Sequence, residues 1–389
     1  MEQDITMEIN ENFVLQSVGL PALRDIAHQA AGVSEFELLD WTIEQIGGGV
    51  GNPVSVGLYR VAGRGLAVGR GRAVGKSVPW STILKVIQSP ANAGWSNMGE
   101  GADQTHWNYW KRELFVYRSG VLDTLPAGMA APRCYATQEL PGDMACLWLE
   151  EITDAYGDVW PLERYALAAR HLGRLNGLYA GLQLLPDYPW IGQRRLHQWN
   201  ELLPLSRSIP WDHPRVSARY PENEIANMKR VLMEAEDFID RLDRLPQTFC
   251  HGDTYPTNFK SRRTAGYEQT VALDWGLAQV GPIGFDLGSL AFGAYLNLPE
   301  RGLNEVDSLL FEAYMAGLRD SGYRAEVQQV RFGFAASAVL IIALFTLGMM
   351  SEQLQADDAV EIDATRPNDG RPCFEAMMAD IACELRDLM

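Results

Sequence analysis

Asp253, Asn258 and Asp274 lie within residues 248–277 and present a carboxylate, a carboxamide and a second carboxylate in that order. Metal-assisted phosphoryl transfer uses such a set. Mg²⁺ is a hard cation that takes one or two protein oxygens and fills its other positions with phosphate and water, which suits Asn258 and Asp274. Asp253 stands apart as the group that orients an attacking hydroxyl. A carboxylate is a weak base at neutral pH, so orientation comes first and proton acceptance late. His251 reads as a packing and hydrogen-bonding residue of the same loop.

These residues need strands and helices to hold them. Residues 20–31 set Leu20, Leu23, Ile26, Ala27 and Ala30 at helical spacing, with Pro21 in the first turn. The period then changes. Residues 38–46 and 54–61 read as strands on either side of Gly47, Gly48, Gly49 and Gly51. Residues 79–87 form an apolar strand carrying the single Lys85, which is either an edge residue or a functional one. Further on, Trp107, Trp110, Leu114 and Tyr117 make one face of an expected helix, with Glu113 near that face. Residues 144–149 are another apolar strand and end at Glu150.

From Leu162 a stripe through Tyr165, Ala169, Leu172, Leu175 and Leu178 predicts a core-facing helix. Residues 184–221 break that pattern with six prolines, several Arg and Trp190, Trp199 and Trp211. That composition fits either an insertion shaping specificity or a surface excursion stapled by its tryptophans. A helix over 222–243 leads into the loop of Asp253. After Asp274, Asp286 fits a helix N-cap, residues 304–318 an amphipathic helix closed by Gly322, and 373–388 a last helix. Gly75-Lys76-Ser77 imitates the end of a phosphate-binding P-loop, but the required first Gly falls on Arg70.

Composition narrows the function classes. The chain of 389 residues is long enough for a large core. With 33 Lys+Arg against 50 Asp+Glu, it lacks the basic balance of a nucleic-acid surface. An acidic protein is compatible with a cationic partner. Five scattered cysteines without a CxxC pair read as reduced thiols, and the acidic start lacks the form of a secretory signal, so a cytoplasmic location is expected. Residues 332–350 hold no charge, but their Gly, Ser and Thr and the lack of a second span favour a buried helix over a membrane one.

His251-Gly252-Asp253, Asn258, Leu273-Asp274-Trp275, Gly281-Pro282 and Asp286-Leu287 together resemble the aminoglycoside phosphotransferase and choline kinase-like family of small-molecule kinases. The spacing also matches the protein-kinase H-R-D-x-x-x-x-N and D-F-G pattern, with Gly252 for Arg and Trp275 for Phe. The resemblance implies an α+β, bilobal protein-kinase-like fold. Residues 1–149 would form an N-lobe with a small antiparallel sheet and one key helix, 150–153 the hinge, and 154–389 a mainly helical C-lobe. It implies ATP or GTP and Mg²⁺ as cofactors. Lys85, paired with Glu113, and the loop of Gly47, Gly48, Gly49 and Gly51 would hold the phosphates. The main chain near Glu150 and Ile152 would meet the adenine. Asn258 and Asp274 would bind the metal, Asp253 would orient the acceptor, and Asp286 would brace the loop. Tyr255 stands where many members carry His, and Gly276 where an acidic residue is frequent.

The function expected is O-phosphorylation of a small-molecule hydroxyl, an aminoglycoside-like antibiotic first. The alternatives are a metabolite alcohol of choline, ethanolamine, sugar or homoserine type, or a non-catalytic nucleotide-binding protein on the same fold. Nucleic acid and membrane are not expected partners, and the chain would act as monomer or homodimer. Little sequence separates Asp274 from Asp286, which leaves little platform for a peptide substrate.

Overall fold

The computed structural model describes residues 9–47, 54–67, 75–93, 103–157, 159–181, 183–201, 211–214, 222–264, 266–343 and 373–388. They fall into two compact units. The first draws on Met1–Gln104, Asn108–Gly120 and Ala131–Thr153, and the second on Thr105–Trp107, Val121–Ala130 and Asp154–Met389.

The first unit begins with helices α1 (Glu11–Ser17) and α2 (Gly19–Ala31). Asn10 caps α1 by accepting the Phe13 N–H at 3.2 Å, and left-handed Gly32 closes α2. Leu23, Ile26 and Ala27 are buried as expected, whereas Leu20 is exposed because it lies at the very start of the helix. Strands β1 (Phe36–Ile46), β2 (Ser55–Ala67) and β3 (Lys76–Gln88) follow. Next come α3 (Arg112–Ser119), the short β4 (Met129–Ala130, in the second unit), β5 (Cys134–Leu140) and β6 (Met144–Glu150). The sheet order is β1-β2-β3-β6-β5, antiparallel throughout.

Both faces of this sheet are covered, which explains why β3 and β6 read as continuous apolar runs. Leu84, Val86, Cys146 and Trp148 point into a core shared with α2. Their neighbours Ile83, Ile87, Leu147 and Leu149 point the other way, into a cluster with Trp110 and Leu114. Side chains alternate along a strand, so Lys85 shares the face that α3 covers. The helix itself starts only at Arg112. The expected helical face therefore loses Trp107 and Trp110, which precede it.

The second unit carries α4 (Leu162–Gly181), α5 (Arg195–Glu201), α6 (Glu222–Met233) and α7 (Ala235–Arg244). The helix expected over 222–243 is thus two, parted at Glu234. Strand β7 (Gln247–Cys250) and the hairpin β8 (Phe259–Thr264) and β9 (Tyr267–Ala272) come next, then β10 (Gln279–Pro282). The rest is helical: α8 (Leu287–Asn297), α9 (Leu303–Asp320), α10 (Val327–Ala338) and α11 (Phe374–Leu388). Helices α4 and α9 approach closely. A Cβ on Gly173 would meet the Tyr314 carbonyl oxygen at 2.1 Å, and one on Gly317 the Arg170 oxygen at 2.0 Å.

From Phe332 to Ala338, α10 is buried all round and then runs into one π turn, Val339–Ala343. The buried-helix reading holds for that part, and 344–350 lie outside the described residues. Among the described residues, no helix is long and apolar enough to cross a membrane.

Candidate active site

In the first unit, Lys85 Nζ lies 2.5 Å from Glu113 Oε2, with 11% and 3% of the two side chains exposed. The strand carrying Lys85 and the helix covering its face meet at this ion pair. In so dry a setting, each charge depends on the other. Gly47 follows directly on β1, and Gly48, Gly49 and Gly51 lie outside the described residues. Glu150 ends β6, and its N–H is donated to the Arg133 carbonyl at 2.8 Å. Ile152 lies just past the strand and is half-buried.

In the second unit, two antiparallel ladders frame two loops. One ladder pairs β8 with β9, Phe259 opposite Ala272. The other pairs β7 with β10, Cys250 opposite Gln279. The loop 251–258 crosses from β7 to β8 and carries Asp253 and Asn258. The loop 273–278 crosses from β9 to β10 and carries Asp274. Asn258 and Asp274 therefore stand at the two feet of one hairpin, joined by the Leu273 N–H donating to the Asn258 carbonyl at 2.7 Å. Asn258 Nδ2 donates to the Asp253 carbonyl at 3.1 Å, so its amide oxygen faces the other way. All three site side chains are half-buried.

Asp274 takes a left-handed backbone, φ 53° and ψ 71°. An L-residue adopts that conformation at a cost, which Asp and Asn bear best. The Gly276 N–H faces its Oδ1 at 3.4 Å. A Cβ at position 276 would sit 3.2 Å from the same oxygen, so glycine leaves the carboxylate room.

His251 ties the two loops together. Its Nδ1 accepts the Asp253 N–H at 3.2 Å and its Nε2 faces the Leu273 carbonyl at 2.8 Å. Since Nδ1 is an acceptor, Nε2 carries the proton, and the ring is a neutral strut. Trp275, fully buried, packs against it with centroids 4.5 Å apart. Gly252 has φ +86°, and a Cβ there would lie 2.0 Å from the Leu277 carbonyl oxygen. That close approach of the second loop makes glycine obligatory at this position.

Beneath the first loop, Asp286 accepts the His251 N–H at 2.9 Å, the Gly252 N–H at 3.0 Å and Asn176 Nδ2 at 3.2 Å. Its own carbonyl takes the Thr254 hydroxyl. Asp286 occupies the N-cap position of α8, yet its side chain makes no cap bond there, because it is spent on the loop. Burial pushes its carboxyl above the ordinary range, and the N–H donors, Gly252 first, pull it back. Three N–H donors favour the ionised form. The network extends through Asn176, which accepts the Tyr314 hydroxyl at 2.7 Å and donates to the Phe249 carbonyl at 2.9 Å.

Two residues of this arrangement had no sequence signal strong enough to single them out. Asn176 hides in the apolar stripe of α4. Arg195, the first residue of α5, is buried and donates to the Gly252 carbonyl at 2.6 Å. Its four-residue spacing from Trp199, inside the tryptophan-rich segment, was the available clue. Among the described residues no group of three or more His, Cys, Asp or Glu gathers as a metal cluster. An ion here would have an amide oxygen and a carboxylate, which are hard donors.

Residues 116–325 match the model described as the phosphotransferase enzyme family. No curated protein matches the chain. Among solved structures it is similar to an amicoumacin kinase in complex with AMP-PNP, Ca²⁺ and Ami. The identity is 14% over 100% of this chain and 97% of that one, with a TM-score of 0.51. It is also similar to a choline kinase from Cryptosporidium parvum Iowa II, with 12% identity over 97% and 96% of the two chains and a TM-score of 0.50. These likenesses are of fold, and the fold is the α+β, protein-kinase-like one.

Proposed function

The chain belongs to the phosphotransferase enzyme family, and from that premise we propose that it passes the terminal phosphoryl group of ATP or GTP to a small-molecule hydroxyl. It is a small-molecule kinase. The finer reading of its acceptor is an antibiotic of aminoglycoside type. The observation that carries the mechanism is the pair of cross-braced loops in the second unit. They present Asp253 beside Asn258, and Asp274 at the facing foot of the hairpin.

In this reading Asp253 orients the acceptor hydroxyl, which in-line transfer demands more than it demands a strong base. Asn258 and Asp274 would hold a divalent metal, Mg²⁺ by the hardness of the donors, and phosphate and water would complete its shell. The metal supplies charge neutralisation when bound. Lys85, oriented by Glu113, would hold phosphate oxygens, together with Gly47, Gly48, Gly49 and Gly51. The Glu150 N–H is already given to Arg133, so a base contact there falls to its carbonyl, and at Ile152 to its main chain. Residues 150–153 would be the hinge.

The amicoumacin kinase in complex with AMP-PNP and Ca²⁺ supports a nucleotide and a divalent ion as cofactors. The net charge of −17 supports a cationic acceptor. A second reading, phosphorylation of choline or another metabolite alcohol, draws on the choline kinase of the same fold. ADP release from Mg-ATP decides between them. The panel holds amino-sugar, macrolide, nucleoside and peptide antibiotics, then choline, ethanolamine, homoserine and simple sugars. Turnover with an amino sugar supports the antibiotic reading, and turnover with choline or another metabolite replaces it. Failure to bind either Mg-ATP or Mg-GTP would contradict both.

A further inference from the structure

Arg195 is a buried cation with few bonds to explain it. Only 7% of the residue is exposed. Its guanidinium carbon lies 5.7, 5.4 and 5.9 Å from the ring centroids of Trp107, Trp199 and Phe285. One nitrogen, Nη1, donates to the Gly252 carbonyl at 2.6 Å, and the buried Nε makes no hydrogen bond. Burial lowers its pKa to about 10, against the pull of Asp253 and then Asp286, so it stays charged at neutral pH. A buried charge needs a compensating partner. Here the compensation comes from aromatic faces, one carbonyl and the nearby carboxylates.

The bonded carbonyl belongs to the peptide unit that leads into Asp253. The other polar group of that unit, the Asp253 N–H, is held by His251 Nδ1 at 3.2 Å. Gly252 takes a left-handed backbone, with φ +86°. Asp286 fixes its N–H, but the plane of the next peptide is left to Arg195 and His251. Helix α5 is itself tied down. Gln198 accepts the Trp107 N–H at 2.6 Å and donates to the Thr105 carbonyl at 3.1 Å.

We infer that Arg195, clasped by Trp107, Trp199 and Phe285 and bonded to the Gly252 carbonyl, is a positioning residue that sets the peptide plane presenting Asp253 to the acceptor. The inference rests on the proposed role of Asp253. It also gives part of the proline- and tryptophan-rich segment a task in the catalytic loop.

The test compares Arg195→Gln and Arg195→Lys with the wild type and with Asp253→Ala, using the full chain and Mg-ATP. Each folded variant is read for kcat, acceptor KM and nucleotide Kd. A misplaced reacting group costs on the order of 10²-fold. Arg195→Gln is expected to lose about that much in kcat, with nucleotide Kd within about twofold of the wild type. Arg195→Lys, which keeps the charge and one donor, is expected to fall between. A folded Arg195→Gln with wild-type kcat overturns the inference, as does a parallel loss of kcat and nucleotide binding. If Arg195→Gln does not fold, Arg195→Lys is read alone, and wild-type kcat in it overturns the inference. Failure of both to fold assigns Arg195 to the fold and overturns it too. Persistent turnover in Asp253→Ala instead contradicts the functional reading beneath it.

Discussion

Asp286 Oδ1 accepts the Gly252 N–H at 3.0 Å, while its other oxygen takes the N–H of His251. A fully buried carboxylate thus supports the loop of Asp253 from below. Asp286→Asn would turn an amide N–H toward a main-chain donor. It is expected to cost about 1–3 kcal/mol, the usual penalty for unsatisfied buried polar groups. Urea unfolding of the variant checks this, and an unchanged midpoint would count against the brace.

Gly252 should tolerate no side chain. Its φ of +86° and the Leu277 oxygen 2.0 Å from an added Cβ combine a backbone penalty with a clash. Gly252→Ala is expected to lose more than about 1 kcal/mol of stability, since alanine is strained at positive φ. Turnover should fall with it, because relief requires the 273–278 loop to move. Thermal melting and ADP release, run on the same preparation, read both effects.

The Lys85–Glu113 pair should behave as a unit. Removing Glu113 alone leaves a mostly buried ammonium without its carboxylate, a change that costs up to about 3–5 kcal/mol in buried pairs. Replacing both, Lys85→Met with Glu113→Leu, should restore part of that stability while leaving turnover low. The loss of one electrostatic donor to a phosphoryl group is worth about 10²–10³-fold in kcat. A double-mutant cycle by urea unfolding measures the coupling, and additive losses would contradict it.

His171 gives a pH dependence. Burial first, then Arg164, Arg174 and Arg170, lowers its pKa from 6.5 to about 3, and its Nδ1 lies 2.8 Å from Thr270 Oγ1. The folded value lies below the unfolded one, so between about 6.5 and 3 the unfolded chain binds the extra proton. The stabilising contribution is whole above that window and is lost as pH falls through it, by about 1.4 kcal/mol per unit. Stability measured from pH 7 to 4 should drop less steeply in His171→Gln than in the wild type. Parallel slopes would assign the acid loss to other groups.

The site was legible in sequence where its parts are close in the chain and their chemistry is distinctive. Asp253, Asn258 and Asp274 could be singled out as candidates because they lie close in the chain, and the structure carries them on two loops framed by paired strands. Lys85 stood out as a charge inside an apolar strand, and alternation then placed it on the face of α3. Arg195 escaped because its contacts reach Gly252, 57 positions away, and nothing local announces them. Trp107 misled for a related reason. Its helical spacing with Trp110 and Leu114 is real, but Trp107 belongs to the second unit, where its ring packs on Trp199 at 5.3 Å. The break at Glu234 was invisible because the apolar spacing of α6 and α7 continues across it.

The most direct measurement is the mass of the acceptor after incubation with Mg-ATP, with wild-type protein and with Asp253→Ala. The wild type is expected to add one phosphoryl group to an acceptor hydroxyl. The variant should lose about 10²–10⁴-fold in kcat, the range for a positioned acid–base group, while binding Mg-ATP as the wild type does. Phosphorylation by Asp253→Ala at the wild-type rate would contradict the assignment of this loop as the catalytic one.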